Sequence, residues 1–421
     1  MLKKPLWIKH INQLATLKSN QLGARTKASM SDLGIIMDGS IWIEDGLIQS
    51  VGTTDHLEQL YRNNLHNADI IDATDHLVTP GLVDPHTHVV YGGSREKEFE
   101  LRLNGASYMD IMNAGGGIHA TTKMTREAKE EDLIEQTLKR LDSFLEHGVT
   151  TIEAKSGYGL NLETERKQLI VIKKLQHLHP IDLVPTFMGA HAVPVEYKGK
   201  EDDYVNLIIN EMLPIIGKEN LAEFIDVFCE KDVFTVEQSK NILDAGKLYN
   251  LIPKIHADEI VCLGGAELAA EVGAISAEHL LKTTEQGMKA LALKGTIGCL
   301  LPATALYLRE KAANGRKMID EGVAVAISTD CNPGSSPTTS MPLVMNLACL
   351  TMKLTPAEAL TAATYNAACA IKREHIVGSI EIGKQADIVL WNVKNYQELQ
   401  YRFGVNHVKT VWKKGIKVVN R

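Results

Sequence analysis

The sequence is poor in large aromatic residues and has no cysteine pairing pattern. With 7 phenylalanines and 4 tryptophans in 421 residues, the core is left to aliphatic side chains, which suits a loop-rich α/β enzyme more than an all-β sandwich. The six cysteines (Cys229, Cys262, Cys299, Cys331, Cys349, Cys369) are scattered with no Cys-x-x-Cys pair, in a chain too large to need staples. They read as free thiols in a reducing compartment. Residues 1–20 hold no apolar run of signal-peptide length, so a cytoplasmic location is expected. No segment reaches the roughly 18 uninterrupted apolar residues of a membrane span, so no membrane association is expected. Basic residues are not in excess either. A net charge of −7 argues against a nucleic-acid or membrane surface and means that an anionic substrate must be met by a local cation. No Gly-x-Gly-x-x-Gly follows a β-like run, and Gly115-Gly116-Gly117 lacks the Lys-Ser/Thr of a phosphate loop, so nothing supports nucleotide binding. The triple glycine reads instead as a mobile or backbone-donating loop over a substrate.

What is present is an alternation of β and helical patterns. Leu82-Val83, Val149 to Ala154, Leu183 to Ala190, Phe224 to Phe228, Ile252 to Ile255, Ala274 to Ala277, Gly295 to Leu301 and Val323 to Ser328 read as eight strands. Helical patterns separate most of them. Leu133, Ile134, Leu138, Leu141, Phe144 and Leu145, for instance, recur at helical spacing until His147-Gly148 ends the run, and the charge run Lys129 to Asp132 is its solvated start. The expected fold is α/β, a (β/α)8 TIM barrel over residues 80–373. Before it, Asp38-Gly39 and Asp45-Gly46 give hairpin signals between short β-rich runs. After it, residues 378–391 and 408–419 again read as strands joined by turns. A lone ribbon is only marginally stable. Residues 1–79 and 374–421 are therefore expected to pair into one composite β-sandwich domain.

The residues that carry chemistry fall at strand ends. His86 and His88, two apart on an extended segment, project to one side and can share a metal ion. Either alone could be a histidine bonded to backbone, so partners are needed. The fifth strand ends at His256 with Glu259 three residues on, the sixth at His279, and the eighth at Asp330 followed by Asn332, Pro333, Gly334 and Ser335. At one barrel mouth, two histidines, a third histidine and an aspartate can close around one cation with a position left for water.

This arrangement resembles the amidohydrolase superfamily, marked by His-x-His after the first barrel strand, histidines after the fifth and sixth, and an aspartate after the eighth. The segments from Gly92 to Arg102, Gly115 to Ile118, Glu153 to Gly159, Phe187 to His191 and Asp330 to Ser335 are similar to one branch of it. The resemblance implies hydrolysis of 4-imidazolone-5-propanoate to N-formimidoyl-L-glutamate, a step of histidine breakdown. It also implies Arg95, Tyr158, His191, Asn332, Gly334 and Ser335 as substrate contacts. Binuclear members carry a bridging lysine at the end of the fourth strand, whereas here that strand ends Asp226-Val227-Phe228-Cys229-Glu230. One Zn2+ or Fe3+ per subunit is expected, on His86, His88, His256 and Asp330, unless Lys231 or Lys155 is recruited.

Asp330 would also orient the water, His279 would stabilise an oxyanion or move a proton, and Glu259 would protonate the departing nitrogen and contact the substrate. Other readings stand beside these. His279 could be a fourth ligand or a brace, Glu259 a solvated carboxylate, Arg95 a surface partner of Glu96, Glu98 or Glu100, Tyr158 and His191 packing residues, and 332–335 only a turn. The expected partner is a small anionic substrate, with a homodimer as the assembly by analogy. The alternatives in function are a mononuclear nucleobase deaminase, which needs no carboxylate clamp, and a barrel scaffold without chemistry.

Overall fold

The computed structural model describes residues 4–18, 23–105 and 116–421. Eight strands follow one another in parallel around a barrel: β1 (Leu82–Asp84), β2 (Val149–Lys155), β3 (Asp182–Ala190), β4 (Phe224–Cys229), β5 (Ile252–Ala257), β6 (Ser276–His279), β7 (Ile297–Leu300) and β8 (Val325–Ile327). Their side chains are almost all buried, as parallel strands covered by helices must be. The covering helices pack by their apolar stripes. Helix Glu130–Glu146 turns Leu133, Leu141 and Phe144 inward, and it stops where Gly148 takes φ +84 against the Trp391 ring, 3.3 Å from where a Cβ would stand.

Ladder bonds link each barrel strand to the next from β1 through β8, and the seam between β8 and β1 is held differently. Buried Asp84, at the end of β1, accepts from the hydroxyl of Ser328 and, at 2.6 Å, from that of Thr329, both just beyond β8. The backbone N–H of His88 donates to the Cys331 carbonyl at 3.0 Å. The histidine pair and Asp330 are thus sewn together by the seam itself.

Both termini build the second unit, one mixed sheet of Leu6–Ala15, Ile35–Glu44, Leu47–Thr53, Asp69–Asp72, Leu77–Pro80, Ile388–Trp391, Val408–Lys413 and Ile416–Asn420. Its edge strand Leu47–Thr53 is tied to the segment before Ile388–Trp391: the N–H of Ile48 donates to Lys384 O and that of Ala386 to Gly46 O. Ile8, Ile41, Val78, Ile388 and Trp412 share one apolar interior. Asp45-Gly46 makes the expected turn, with φ +50 and +79. Asp38-Gly39 does not. It lies inside the strand Ile35–Glu44, near a bulge at Lys9-His10 of the paired strand. Asp38 keeps φ +46 there while its carboxylate accepts from Thr54 Oγ1 at 3.0 Å, so the left-handed residue marks irregular pairing rather than a reversal. The segment 378–387 likewise lies outside any strand, the strand beginning only at Ile388.

Candidate active site

The C-terminal ends of the barrel strands open into a cavity of about 1110 Å3. His88, Arg95, Tyr158, His191, His256, Glu259, His279, Asp330, Asn332, Gly334 and Ser335 all line it. His86 lies fully buried beneath, its ring 4.5 Å from that of His256 and 5.6 Å from that of His279. The proposed ligands, catalytic groups and substrate contacts are therefore brought to one place.

At the histidine corner, side-chain atoms that could bind a cation converge. His86 Nε2 stands 3.4 Å and His88 Nε2 3.7 Å from Asp330 Oδ1, and His256 Nε2 stands 3.4 Å from His88 Nε2. Two ligand atoms of a tetrahedral ion, each at roughly 2.1 Å from it, lie about 3.4 Å apart. Buried His86 Nε2 has no hydrogen-bond partner, which is costly unless something else occupies its lone pair. Among the described residues, compatible triples are His86-His88-Asp330, His86-His256-His279, His88-His191-His256 and His86-Asp226-Glu278. The donor set fits a metal ion.

Three of these side chains, His86, His256 and Asp330, are gripped from behind, whereas buried His88 Nδ1 has no hydrogen-bond partner. The Nδ1–H of His86 donates to Glu278 Oε2 at 2.7 Å and that of His256 to Asp226 Oδ1 at 3.1 Å, which fixes both tautomers and aims each Nε2 at the cavity. Thr304 Oγ1 donates to Asp330 Oδ2 at 2.7 Å, leaving Oδ1 for the histidines. His279 and Asp330 hold left-handed backbone, φ +70 and +53, strain that only a surrounding network sustains. Burial pushes the Asp330 carboxyl up to about 6. Burial and His256 hold His279 neutral, well below the usual imidazole range.

The two lysines considered as bridging ligands lie in different surroundings. Lys231 is exposed. Lys155 is fully buried, with Nζ 2.6 Å from Glu153 and 2.8 Å from Asp226. Burial would lower its pKa, but Asp226, Glu153 and Glu278 outweigh that and raise it, so it stays an ammonium.

The guanidinium corner lies on loops. Arg95, 10% exposed, grips Glu98 with two parallel bonds of 2.9 and 2.7 Å and is no surface ion pair. Its Nη1 lies over Gly334, 2.1 Å from where a Cβ would stand, so only glycine admits it. Gly116 and Gly117 line the cavity here, although the N–H of Gly117 is spent on Glu98 at 3.0 Å. Gly115 lies outside the described residues. Asn332 turns its side chain into its own loop, accepting from Gly334 N and Ser335 N at 2.8 Å each and donating to Asp330 O at 2.7 Å. The turn reading of 332–335 thus describes Asn332 well. His191 stacks on His88 at 4.6 Å while its Nδ1 bonds Gly157 O. Tyr158 packs 5.7 Å from the His88 ring.

Glu259 sits 3.5 Å from His279 Nδ1. Burial first, then Asp330 and Glu230, pushes its carboxyl up to about 8. Its loop is pinned by Glu230, which accepts from Ile260 N and Val261 N, and by Asp258, which accepts from Leu263 N and Gly265 N. Glu165 does the same for the Tyr158 loop through the N–H groups of Gly157, Gly159 and Leu160. Sequence reasoning missed Glu165, Glu230, Asp226, Glu278 and Thr304, and had Glu98 only as one of three possible surface partners of Arg95. Only the sequence nearness of Glu98 to Arg95 offered a signal.

A parallel barrel with such a cluster at its mouth, beside a sheet built from both termini, defines an amidohydrolase. A family model described as "Amidohydrolase family" matches residues 239–418. Imidazolonepropionase of Brevibacillus brevis is 60% identical over 99% of this chain and 98% of its own length, and that of Geobacillus kaustophilus is 59% identical with the same coverage. The chain belongs to the imidazolonepropionase family. Among solved structures, a triazine hydrolase variant aligns with TM-score 0.72 at 16% identity, over 99% of this chain and 95% of that one. E. coli guanine deaminase gives 0.70 at 15% over the whole of both. Likeness at that identity concerns the fold alone.

Proposed function

We propose that the chain hydrolyses the ring C–N bond of 4-imidazolone-5-propanoate to N-formimidoyl-L-glutamate, a step of histidine degradation. The observation that carries this reading is that the buried His/Asp cluster and the Arg95 guanidinium, held by Glu98 through Nε and Nη2, face the same cavity. A ring amide with a carboxylate tail needs both, whereas a neutral base needs only the first.

His86, His88, His256 and Asp330 would hold one ion, Zn2+ or Fe3+, which both suit this ligand set. When bound, that ion supplies a water of lowered pKa and polarises the ring carbonyl. Asp330 orients the attacking water and takes its proton. His279, buried and neutral, donates to the oxygen that gains charge as water adds to the carbonyl carbon. Glu259 is protonated below about 8 and gives its proton to the ring nitrogen as the C–N bond breaks. Arg95 meets the propanoate with Nη1, its other nitrogens held by Glu98. Tyr158, His191 and the 332–335 loop wall the ring.

Six free thiols support a reducing, cytoplasmic setting, and among the described residues no helix is long and apolar enough to cross a membrane. We also propose a homodimer, which size-exclusion chromatography tests. The activity is tested by following imidazolonepropanoate absorbance with metal-stripped and reconstituted protein while assaying ammonia from a panel of purines and pyrimidines. Metal-dependent ring opening without ammonia is the expected result. Ammonia from a base without ring opening would assign the site to deamination instead.

A further inference from the structure

Two of the proposed metal ligands are joined through the barrel interior by an unbroken run of ionic contacts. Starting from His256, Nδ1 bonds Asp226 Oδ1, and the other oxygen, Oδ2, lies 2.8 Å from Lys155 Nζ. Lys155 reaches Glu153 Oε1 at 2.6 Å. The same Oε1 lies 3.3 Å from Lys254 Nζ, which lies 3.4 Å from Glu278 Oε1. Glu278 Oε2 accepts from His86 Nδ1. Each bracing carboxylate thus gives one oxygen to a histidine and the other to a lysine, and both lysines meet on one atom. Thr186 Oγ1 pins that atom at 2.5 Å, and Lys254 also donates to Pro85 O, one residue from His86.

All five charged side chains are 0% exposed. A buried ionic cluster of this kind is seldom more stable than an apolar filling of the same volume, so stability alone does not explain its place under the ligands. Its geometry does. The strands set Lys155 on β2 and Lys254 on β5 facing each other, and Glu153 between them is the only member of the run that touches both.

We propose that Glu153 is a positioning residue for the metal centre, acting through Lys155 and Lys254 on His256 and His86 together. Without its charge both lysines lose their common anchor, and both carboxylates lose the orientation that aims the two histidines. The inference rests on these histidines being ligands, not on the identity of the substrate.

The test uses the full chain, stripped of metal and without substrate, titrated with Zn2+ against a chromophoric chelator, with the visible spectrum of the Co2+ form and the unfolding temperature of the metal-free protein recorded in parallel. Glu153 lies two contacts beyond the direct partners of the ligands, whose own loss costs about tenfold or more, so Glu153→Gln should weaken Zn2+ binding by about fivefold and should alter the Co2+ bands. Lys254→Met, which cuts only the His86 arm, should weaken it less. Zn2+ affinity within twofold of wild type in folded Glu153→Gln, whether or not its unfolding temperature falls, overturns the proposal. Should that variant not fold, the same result in Lys254→Met overturns it. Failure of the wild type to bind Zn2+ would remove the ligand assignment, and the proposal with it.

Discussion

The two corners of the cavity differ in where their supports come from. At the histidine corner His86, His256 and Asp330 are braced by Glu278, Asp226 and Thr304, residues 192, 30 and 26 positions away in sequence. At the guanidinium corner Arg95 is braced by Glu98, three positions on, and the facing loop is ordered by Asn332 bonding its own neighbours. The histidine corner draws its supports from distant strands and, for Asp330, from the helix Pro302–Leu308, whereas Arg95 and Asn332 hold to near neighbours, with Arg102 to Gly334 O the long-range bond there. The first arrangement couples its members, so one loss should spread across the corner. The second should fail one residue at a time.

The largest effect is expected from Asp330→Asn, which removes a proposed ligand and the water-orienting oxygen together. Ring-opening kcat/KM should fall on the order of 10^3-fold or more, and the protein should leave dialysis largely free of metal, read by elemental analysis. Arg95→Ala comes next. Loss of a charge-assisted pair at the carboxylate is worth up to about 3 kcal/mol, or KM raised roughly 100-fold, with metal content unchanged. If Arg95→Ala also empties the metal site, the two corners are one unit and the contrast between them is wrong.

The same contrast governs what could be read from the sequence. The eight strands were legible because buried parallel strands are short apolar runs set between helical patterns, and the ends of β1, β5, β6 and β8 announce themselves by His, His, His and Asp. The supports were not legible. Asp226, Glu278, Lys155 and Lys254 lie within strands, where a charged residue carries no sign of which partner closure of the barrel will give it. Arg95 with Glu96, Glu98 and Glu100 nearby was compatible with a solvated helix start, and only the fold shows it 10% exposed against Gly334. Asp38-Gly39 misled for a related reason: the dipeptide reports a left-handed backbone, which a bulge demands as readily as a hairpin turn.

A gentler probe of the guanidinium corner is Gly334→Ala. The added methyl would stand against Arg95 Nη1, and the guanidinium, at the end of a flexible side chain, would swing aside. KM should rise about tenfold, or about 1.4 kcal/mol, while kcat and metal affinity stay near wild type. A fall in kcat with unchanged KM would mean that Gly334 serves the histidine corner through Asp330.

The smallest effect, at neutral pH none at all, is a limb in the pH profile. Glu259 lies between the corners, and its carboxyl ionises near 8 because burial, Asp330 and Glu230 oppose its charge. The protonated form is the competent one, since a proton must reach the departing nitrogen. Below about 8 the acid is in place and the rate is flat on this account. At pH 8 half of it is gone, a twofold loss, and each further unit removes about tenfold. Glu259→Gln should lower the whole profile and abolish that limb. If the variant keeps the limb, the ionising group is another one and Glu259 is not the proton donor; if the wild type has no limb near 8, its carboxyl is not held neutral at the working pH.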